Sequence, residues 1–167
     1  MLIDFDKNSL FITFIFSGLL IGITIISIYF YYKISNSFYK YLMLVGCIPV
    51  LVILILGYLL SPQRIVFKND KLKIDRIISD VYIDYSKIKE VNLVNSDDIF
   101  LNSKKIFASF GFWGYYGKFR SEKYGVYYLY ARRGEGSYII LKTDSKTYVI
   151  APSKPMVFME KLKNKLK

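Results

Sequence analysis

The strongest constraint on this chain comes from two long apolar runs near its start. Leu10–Tyr32 and Tyr41–Leu60 contain no acidic or basic residue, and the polar stretch Lys33–Lys40 separates them. A helix of about 20 apolar residues is long enough to cross the hydrocarbon core of a bilayer. The pattern therefore predicts a transmembrane helical hairpin over residues 1–62, followed by a soluble domain over residues 63–167.

Basic residues around the predicted hairpin indicate its orientation. The connection between the two helices carries Lys33 and Lys40, whereas the opposite side carries Lys7 and five more basic residues between positions 64 and 76. Basic residues close to helix ends favour the cytoplasmic side of a membrane. We therefore expect a multi-pass protein of the cell membrane, with both termini and the soluble domain in the cytoplasm.

Two glycines in the first apolar run form a small-residue stripe. Gly18 and Gly22 are four residues apart and so share one face of the helix. Such a spacing lets a neighbouring helix backbone approach closely. The stripe predicts either packing against the second helix near Gly46 or association of two copies of the chain, and the sequence leaves both open.

Composition excludes several kinds of chemistry. The chain has no His, and its single Cys, Cys47, lies inside the second apolar run. A Cys/His metal site, an intrachain disulfide and a nucleophile activated by His are all excluded. Asp97-Asp98 is the only adjacent acidic pair, and neighbouring loop carboxylates need not converge on one substrate. We expect no enzyme activity, no catalytic residues, no bound metal and no cofactor.

The predicted soluble domain is strongly basic. Residues 63–167 hold 21 Lys and Arg against 11 Asp and Glu, which gives a net charge of +10. A basic domain beside a membrane suits an anionic partner, and lipid headgroups are the first candidate. Nucleic acid is an unlikely partner, because no recognised nucleic-acid motif is present.

Short alternating apolar segments fill most of this domain. Strands are predicted near positions 63–68, 72–74, 81–85, 88–94, 106–107, 126–131, 138–141 and 148–150, and the polar segment Ser96–Ser103 is predicted as a loop. Apolar residues then recur at helical spacing over residues 155–166, after Pro155, which suits the first position of a helix. The pattern predicts an α+β domain: a small antiparallel barrel or sandwich closed by a C-terminal amphipathic helix.

The most unusual segment of the domain combines glycines and aromatic residues. Gly111, Gly114 and Gly117 recur at every third position, and the segment is not a phosphate-binding loop, because Gly117-Lys118 is followed by Phe119. The glycines predict tight turns or close backbone approach. Six residues form a candidate interaction patch: Phe112, Trp113, Tyr115, Tyr116, Lys118 and Arg120. Three interpretations stay open: aromatic side chains filling the core, contact with the bilayer interface, or contact with a protein partner.

Several motifs carry a resemblance to a known family. They are Arg64-Ile-Val-Phe67, the segment Phe110–Arg120, Gly125-x-Tyr127-x-Leu129-Tyr130 and Tyr148-Val-Ile150-x-Pro152, after a two-helix anchor. Together they resemble the bacterial and archaeal pleckstrin-homology-like membrane proteins. The resemblance implies a bent, seven-stranded antiparallel barrel capped by a C-terminal helix, with no catalytic set and no settled ligand. Lys154 stands where such domains usually have an acidic residue.

These observations lead to one functional hypothesis and two alternatives. We expect a membrane-anchored, non-enzymatic PH-like module that serves as a scaffold or accessory subunit, with the lipid bilayer and a protein partner or a second copy as its partners. The first alternative is binding of anionic lipid headgroups by the basic domain. The second is an immunity-type membrane protein, which protects the cell that makes it.

Overall fold

The two apolar runs form two long helices. The computed structural model describes residues 1–166, in which α1 spans Lys7–Lys33 and α2 spans Ser37–Leu60. The side chain of Asp6 caps α1 by accepting a hydrogen bond from the Ser9 N–H, and Asn36 caps α2 in the same way from the Phe38 N–H. Both helices are long and apolar enough to span a membrane, with mean hydropathies of 2.4 and 2.8.

The two helices pack side by side through one face of each. From Ser17 to Tyr31, half-buried residues of α1 recur at alternating spacings of three and four, with Gly22 half-buried in addition, and half-buried residues of α2 recur at the same spacings. They include Ser17, Leu20, Thr24 and Ser27 on α1, and Met43, Cys47, Val50 and Leu54 on α2. The predicted packing of Gly18 and Gly22 against α2 is not found, because a Cβ added at either glycine would meet no atom within 4 Å. Association of two copies through this stripe stays a prediction.

The described chain from Arg64 onward forms nine strands, two further α-helices and a short 3-10 helix at Tyr85–Lys87. The strands are β1 Arg64–Phe67, β2 Lys71–Asp75, β3 Val81–Asp84, β4 Ile88–Asn95, β5 Ser103–Gly111, β6 Gly114–Ser121, β7 Gly125–Ala131, β8 Ser137–Thr143 and β9 Thr147–Ile150. The helices are α3 Ser96–Phe100 and α4 Pro155–Leu166. One sheet has the order β1-β2-β3, and the other has the order β4-β8-β9-β7-β6-β5.

This architecture corrects the expected seven-stranded antiparallel barrel in three respects. Nine strands are present, they form two sheets that do not close into a barrel, and β7 pairs with β9 in parallel. The parallel pair arises because β8, which follows β7 in the chain, does not pair with β7. Strand β8 pairs with β4 instead and leaves a gap beside β7. Strand β9 then fills this gap and pairs with both β8 and β7.

The strands on either side of the glycine–aromatic segment are longer than the sequence indicated. Instead of a two-residue strand at 106–107, β5 runs over Ser103–Gly111, and β6 follows where no strand was predicted. Gly117 allows this pairing, since it lies in β6 with a φ of +120° and its Cα faces the backbone of Ala108 on β5. The expected loop at Ser96–Ser103 contains the short helix α3.

The first residues of the chain join the sheet domain. Backbone hydrogen bonds link Met1 and Ile65 in both directions, at 2.6 Å from the Met1 amino group and 2.8 Å from the Ile65 N–H. The side chain of Ile3 is only 2% exposed and belongs to the same hydrophobic core as Ile65. Phe158 and Leu162 of α4 are buried in this core, so α4 covers it as predicted.

The close approach at Gly117 makes a stability prediction. A Cβ added there would press on the Phe107 carbonyl oxygen and lie 2.6 Å from the Ala108 Cα, at a φ that L side chains rarely adopt. We expect Gly117→Ala to lower the free energy of unfolding by about 3 kcal/mol, because backbone strain and overpacking add. Thermal unfolding of the purified full chain in detergent measures the loss.

Gly125→Ala is the matched control. Gly125 also has a positive φ, +64°, but no atom lies within 4 Å of an added Cβ. Its expected cost is about 1 kcal/mol, from the left-handed backbone alone. Equal losses for the two variants would contradict the importance of the close contact between β5 and β6.

Candidate functional site

The turn that joins β5 to β6 lies between the membrane-candidate helices and the domain. We call its four residues, Gly111–Gly114, the hairpin tip, after the β-hairpin that β5 and β6 form. The word hairpin alone continues to mean the pair of helices α1 and α2. Gly111, Trp113 and Gly114 all have positive φ values, of +100°, +56° and +119°. Trp113 is the unusual member of this group, because a bulky residue seldom adopts the left-handed conformation. The conformation directs the tip's backbone groups towards α1 and α2.

Hydroxyl groups near the start of α1 bind the tip. The Ser9 hydroxyl donates to the Gly111 carbonyl oxygen at 2.9 Å, and the Trp113 N–H donates to the Thr13 hydroxyl oxygen at 2.9 Å. Thr13 in turn donates to the Ser9 carbonyl oxygen at 2.7 Å. Ser9 and Thr13 are almost completely buried. Two buried polar side chains near the start of α1 thereby form hydrogen bonds with the tip.

The end of α2 binds the other side of the tip. The Ser61 hydroxyl donates to the Trp113 carbonyl oxygen at 2.6 Å, and the Tyr116 hydroxyl donates to the Gly57 carbonyl oxygen at 2.6 Å. Burial raises the pKa of Tyr116, so its hydroxyl stays protonated and able to donate at neutral pH. The Trp113 ring also contacts Tyr58, with 5.0 Å between ring centroids.

The loop between β7 and β8 adds a further contact with the start of α1. The Asp6 carboxylate accepts hydrogen bonds from the Gly134 N–H and from the Ser9 N–H. The Arg132 guanidinium lies 3.7 Å above the centre of the Phe5 ring, which is a favourable cation–π arrangement. The domain is therefore attached to the beginning of α1 and to the end of α2 at the same time.

A groove opens beside the tip, between the hairpin and the faces of β5, β6 and β7. We call it the junction groove; its volume is about 830 Å³, which lies in the range of small-molecule sites. Its hairpin side is apolar and includes Ile12, Phe16, Leu20, Ile53, Leu56 and Leu60. Its domain side includes Phe107, Ala108, Phe110, Phe112, Tyr128 and Tyr130.

Three cations are among the domain residues that line the junction groove. They are Arg76, Lys105 and Lys118, and no Asp or Glu is among the groove-lining residues of the described chain. Lys105 lies 4.8 Å from the Phe110 ring centre and Arg76 lies 5.8 Å from that of Tyr130. Burial raises the pKa of Tyr130 to about 12, so this phenol adds no negative charge at neutral pH.

The carboxylates nearest to Arg76 in sequence are already paired. Lys73 lies 2.8 Å from both Asp75 and Asp80. Hydrogen bonding to Lys73, and then to Arg64, lowers the pKa of Asp75 to about 2, and hydrogen bonding to Lys73 lowers the pKa of Asp80 as well. The Arg76 side chain donates to the Ser79 carbonyl oxygen, while its Nε is buried without a hydrogen-bond partner in the described chain.

The six residues of the predicted interaction patch do not share one surface. Tyr115 and Tyr116 are buried, in separate clusters of the core. Phe112 and Trp113 lie against the hairpin, Lys118 lines the junction groove and Arg120 is exposed farther along β6. Sequence reasoning missed Arg76 and Lys105. Arg76 follows β2 and Lys105 lies on β5, and only the tertiary fold makes both line one groove. Their shared signal was a basic residue beside exposed apolar ones, which is common at surfaces.

The adjacent acidic pair does not form a converging site. Asp98 is 2.5 Å from the Lys123 ammonium group, and this hydrogen bond lowers the pKa of the Asp98 carboxyl. Asp97 and Asp98 both lie on the short helix α3, along the rim of an open polar depression. Within residues 1–166, no three His, Cys, Asp or Glu residues lie close enough to hold a metal ion.

The fold and the site define a class of protein: a two-sheet domain, covered by a C-terminal helix, that docks on a pair of apolar helices. A family model described as Bacterial PH domain matches residues 63–166, more than half of the chain, so the chain belongs to that family. The match confirms the resemblance seen in the sequence, and PH domains are generally non-catalytic. Comparison with curated proteins and with solved structures finds no match.

The hydrogen bond between Thr13 and the tip gives a second stability prediction. Thr13→Val keeps the shape of the side chain but leaves the Trp113 N–H without an acceptor. An unsatisfied buried donor costs about 1–3 kcal/mol. We expect a lower unfolding temperature for the detergent-purified variant and faster proteolysis between the hairpin and the domain.

Thr24→Val serves as the control for this variant. The Thr24 hydroxyl donates only to the Leu20 carbonyl oxygen of its own helix, at 2.9 Å. Its removal leaves no donor unpaired, and we expect a change below about 0.5 kcal/mol. If Thr13→Val were as stable as Thr24→Val, the tip would not depend on this contact.

Proposed function

We propose that this protein is a membrane-anchored, non-enzymatic PH module that serves as an interaction or accessory subunit at the cytoplasmic face of the cell membrane. The observation that carries the proposal is the double attachment of the domain, through the hairpin tip, to both helices of the anchor. A domain held in this way presents its surfaces at a constant height and angle. Such a module suits partners that are themselves in or on the membrane.

The surface of the hairpin supports insertion in a bilayer. Of the most apolar 18-residue windows of α1 and α2, only 6% and 0% of residues are buried. Helices at the core of a water-soluble protein would be mostly buried instead.

The distribution of basic residues supports a cytoplasmic domain. Lys7 and the cluster between positions 64 and 76 lie at the domain end of the hairpin, and Lys33 and Lys40 lie at the other end. The hairpin therefore follows the positive-inside rule when the domain is cytoplasmic. Tyrosines at the far end, including Tyr32 and Tyr41, suit the opposite interface of the bilayer.

Orientation can be tested with single cysteines in a Cys47→Ser background. Ser35→Cys lies in the connection between α1 and α2, and Ser145→Cys lies in the exposed turn between β8 and β9. We expect a membrane-impermeant maleimide to label position 35 in intact cells and position 145 only after permeabilisation. The reverse labelling pattern would place the domain outside the cell and contradict the proposal.

The free face of α1 supports a partner within the membrane. Apart from the adjoining residues and the nearby backbone of α1 itself, no atom of the described chain lies within 4 Å of a Cβ placed at Gly18 or Gly22. A face of small residues permits close packing by another helix, and a second copy of this chain is the simplest supplier of that helix.

Association through this face is expected to depend on the two glycines. Replacing both Gly18 and Gly22 by Leu fills the face and should abolish cross-linking of full-length copies in native membranes, because the helix backbones can no longer approach. Leu19→Ile with Ile23→Leu changes the adjacent face without a change in volume and should leave cross-linking intact. Cross-linking that survives the Gly-to-Leu changes would remove α1 as the association surface.

A further inference from the structure

We propose that the junction groove is a binding site for one anionic phospholipid of the surrounding bilayer. The acyl chains lie against the apolar side formed by α1 and α2, and the phosphate faces Arg76, Lys105 and Lys118. The inference rests on the membrane placement proposed above and adds a specific site and ligand class to it. The groove is formed jointly by the hairpin and the domain, so neither part contains the site alone.

The apolar part of the groove has the length of one bilayer leaflet's interior. Its lining on α1 extends from Ile12 to Leu20, a distance of about 12 Å at the helical rise of 1.5 Å per residue. Half of a hydrocarbon core is about 15 Å thick. Phe16 and Ile53, which line this part, are also 54% exposed each. The groove is thus open sideways towards the space that acyl chains fill.

The cationic side chains of the groove carry the charge that an anionic phosphate requires. Arg76, Lys105 and Lys118 form no ion pair with any carboxylate in residues 1–166. The Arg76 Nε is buried and has no hydrogen-bond partner there. A planar guanidinium binds phosphate oxygens through two parallel hydrogen bonds, and two ammonium groups add charge without a geometric demand. An anionic headgroup would satisfy all three side chains.

Apolar side chains around the three cations place them at the level of the headgroups. Phe107 lines the groove and is 82% exposed, and Ile77 and Ile78 are exposed in the turn after Arg76. The Ile78 N–H donates to the Leu59 carbonyl oxygen at the end of α2, so this turn lies beside the membrane boundary. A ligand with a charged head and long apolar chains fits this gradient, whereas an apolar peptide would leave three cations unpaired.

The chain carries its own reporter for this site. Trp113 is the only tryptophan, and its ring centroid is 6.1 Å from that of Phe112, which lines the groove. Bromine atoms on a lipid chain quench tryptophan fluorescence at short range. We would reconstitute the full chain in phosphatidylcholine vesicles that contain increasing fractions of phosphatidylglycerol, with one of the two lipids brominated on its acyl chains near the glycerol group.

Specific binding predicts unequal quenching by the two lipids. Brominated phosphatidylglycerol should reach half-maximal quenching at a mole fraction about tenfold lower than brominated phosphatidylcholine does, a ratio that corresponds to about 1.4 kcal/mol. The double variant Arg76→Gln with Lys118→Gln should lose this preference. Lys163→Gln with Lys165→Gln removes the same charge from exposed positions on α4 and should retain it.

Lys105→Gln provides a second test that does not depend on the fold. Lys105 is exposed, so its loss should reduce the preference severalfold without a change in the unfolding temperature.

Equal quenching by the two lipids in the unaltered chain would overturn the lipid site while leaving the membrane anchor intact. A preference retained in the Arg76/Lys118 variant would also overturn it. Absence of quenching by either lipid would instead contradict the membrane placement itself.

Discussion

The structure depends on the hydrogen bonds that the backbone of one β-turn forms with hydroxyl groups of two apolar helices. The hairpin tip, Gly111–Gly114, lies where water is scarce if the helices are in a bilayer, and each of its unpaired backbone groups would be costly there. Ser9, Thr13 and Ser61 supply the hydroxyl groups that satisfy them. The same hydroxyls are satisfied in return, so hairpin and domain stabilise each other.

The rigid attachment creates the junction groove and defines its chemistry. Because the tip enters between α1 and α2, the outer faces of β5 and β6 stand beside the helices and leave a channel between them. Its apolar wall comes from the anchor and its cations come from the domain. Insertion of α1 and α2 in a bilayer, as proposed above, would also give any lipid contact a high effective concentration. Proximity to lipid is therefore weak evidence of lipid specificity, and only the preference for one lipid over another is informative.

Much of the architecture was predictable from local patterns. Both long helices, the C-terminal helix and most strands follow from apolar periodicity and from Pro and Gly signals. The parallel pairing of β7 with β9 was not predictable, because it depends on which strand occupies a gap left by a long-range connection. Strand β6 was missed because Gly114 and Gly117 weaken a strand pattern, although a close contact with β5 requires Gly117.

The amino-acid sequence was enough to predict the two apolar helices, the family of the domain, its basic charge and the exclusion of His-based and Cys/His metal chemistry. The length of an apolar run, the number of charges and the absence of a residue type do not depend on the fold, so they follow directly from the sequence. The sequence did not reveal which residues of the glycine–aromatic segment are buried or which cations line a common groove, because both depend on the tertiary fold. Tyr115 and Tyr116 are neighbours in sequence yet enter different clusters, because successive side chains of a strand point to opposite faces. Arg76, Lys105 and Lys118 come together because non-local strand pairing and the docked hairpin bring their segments to one groove.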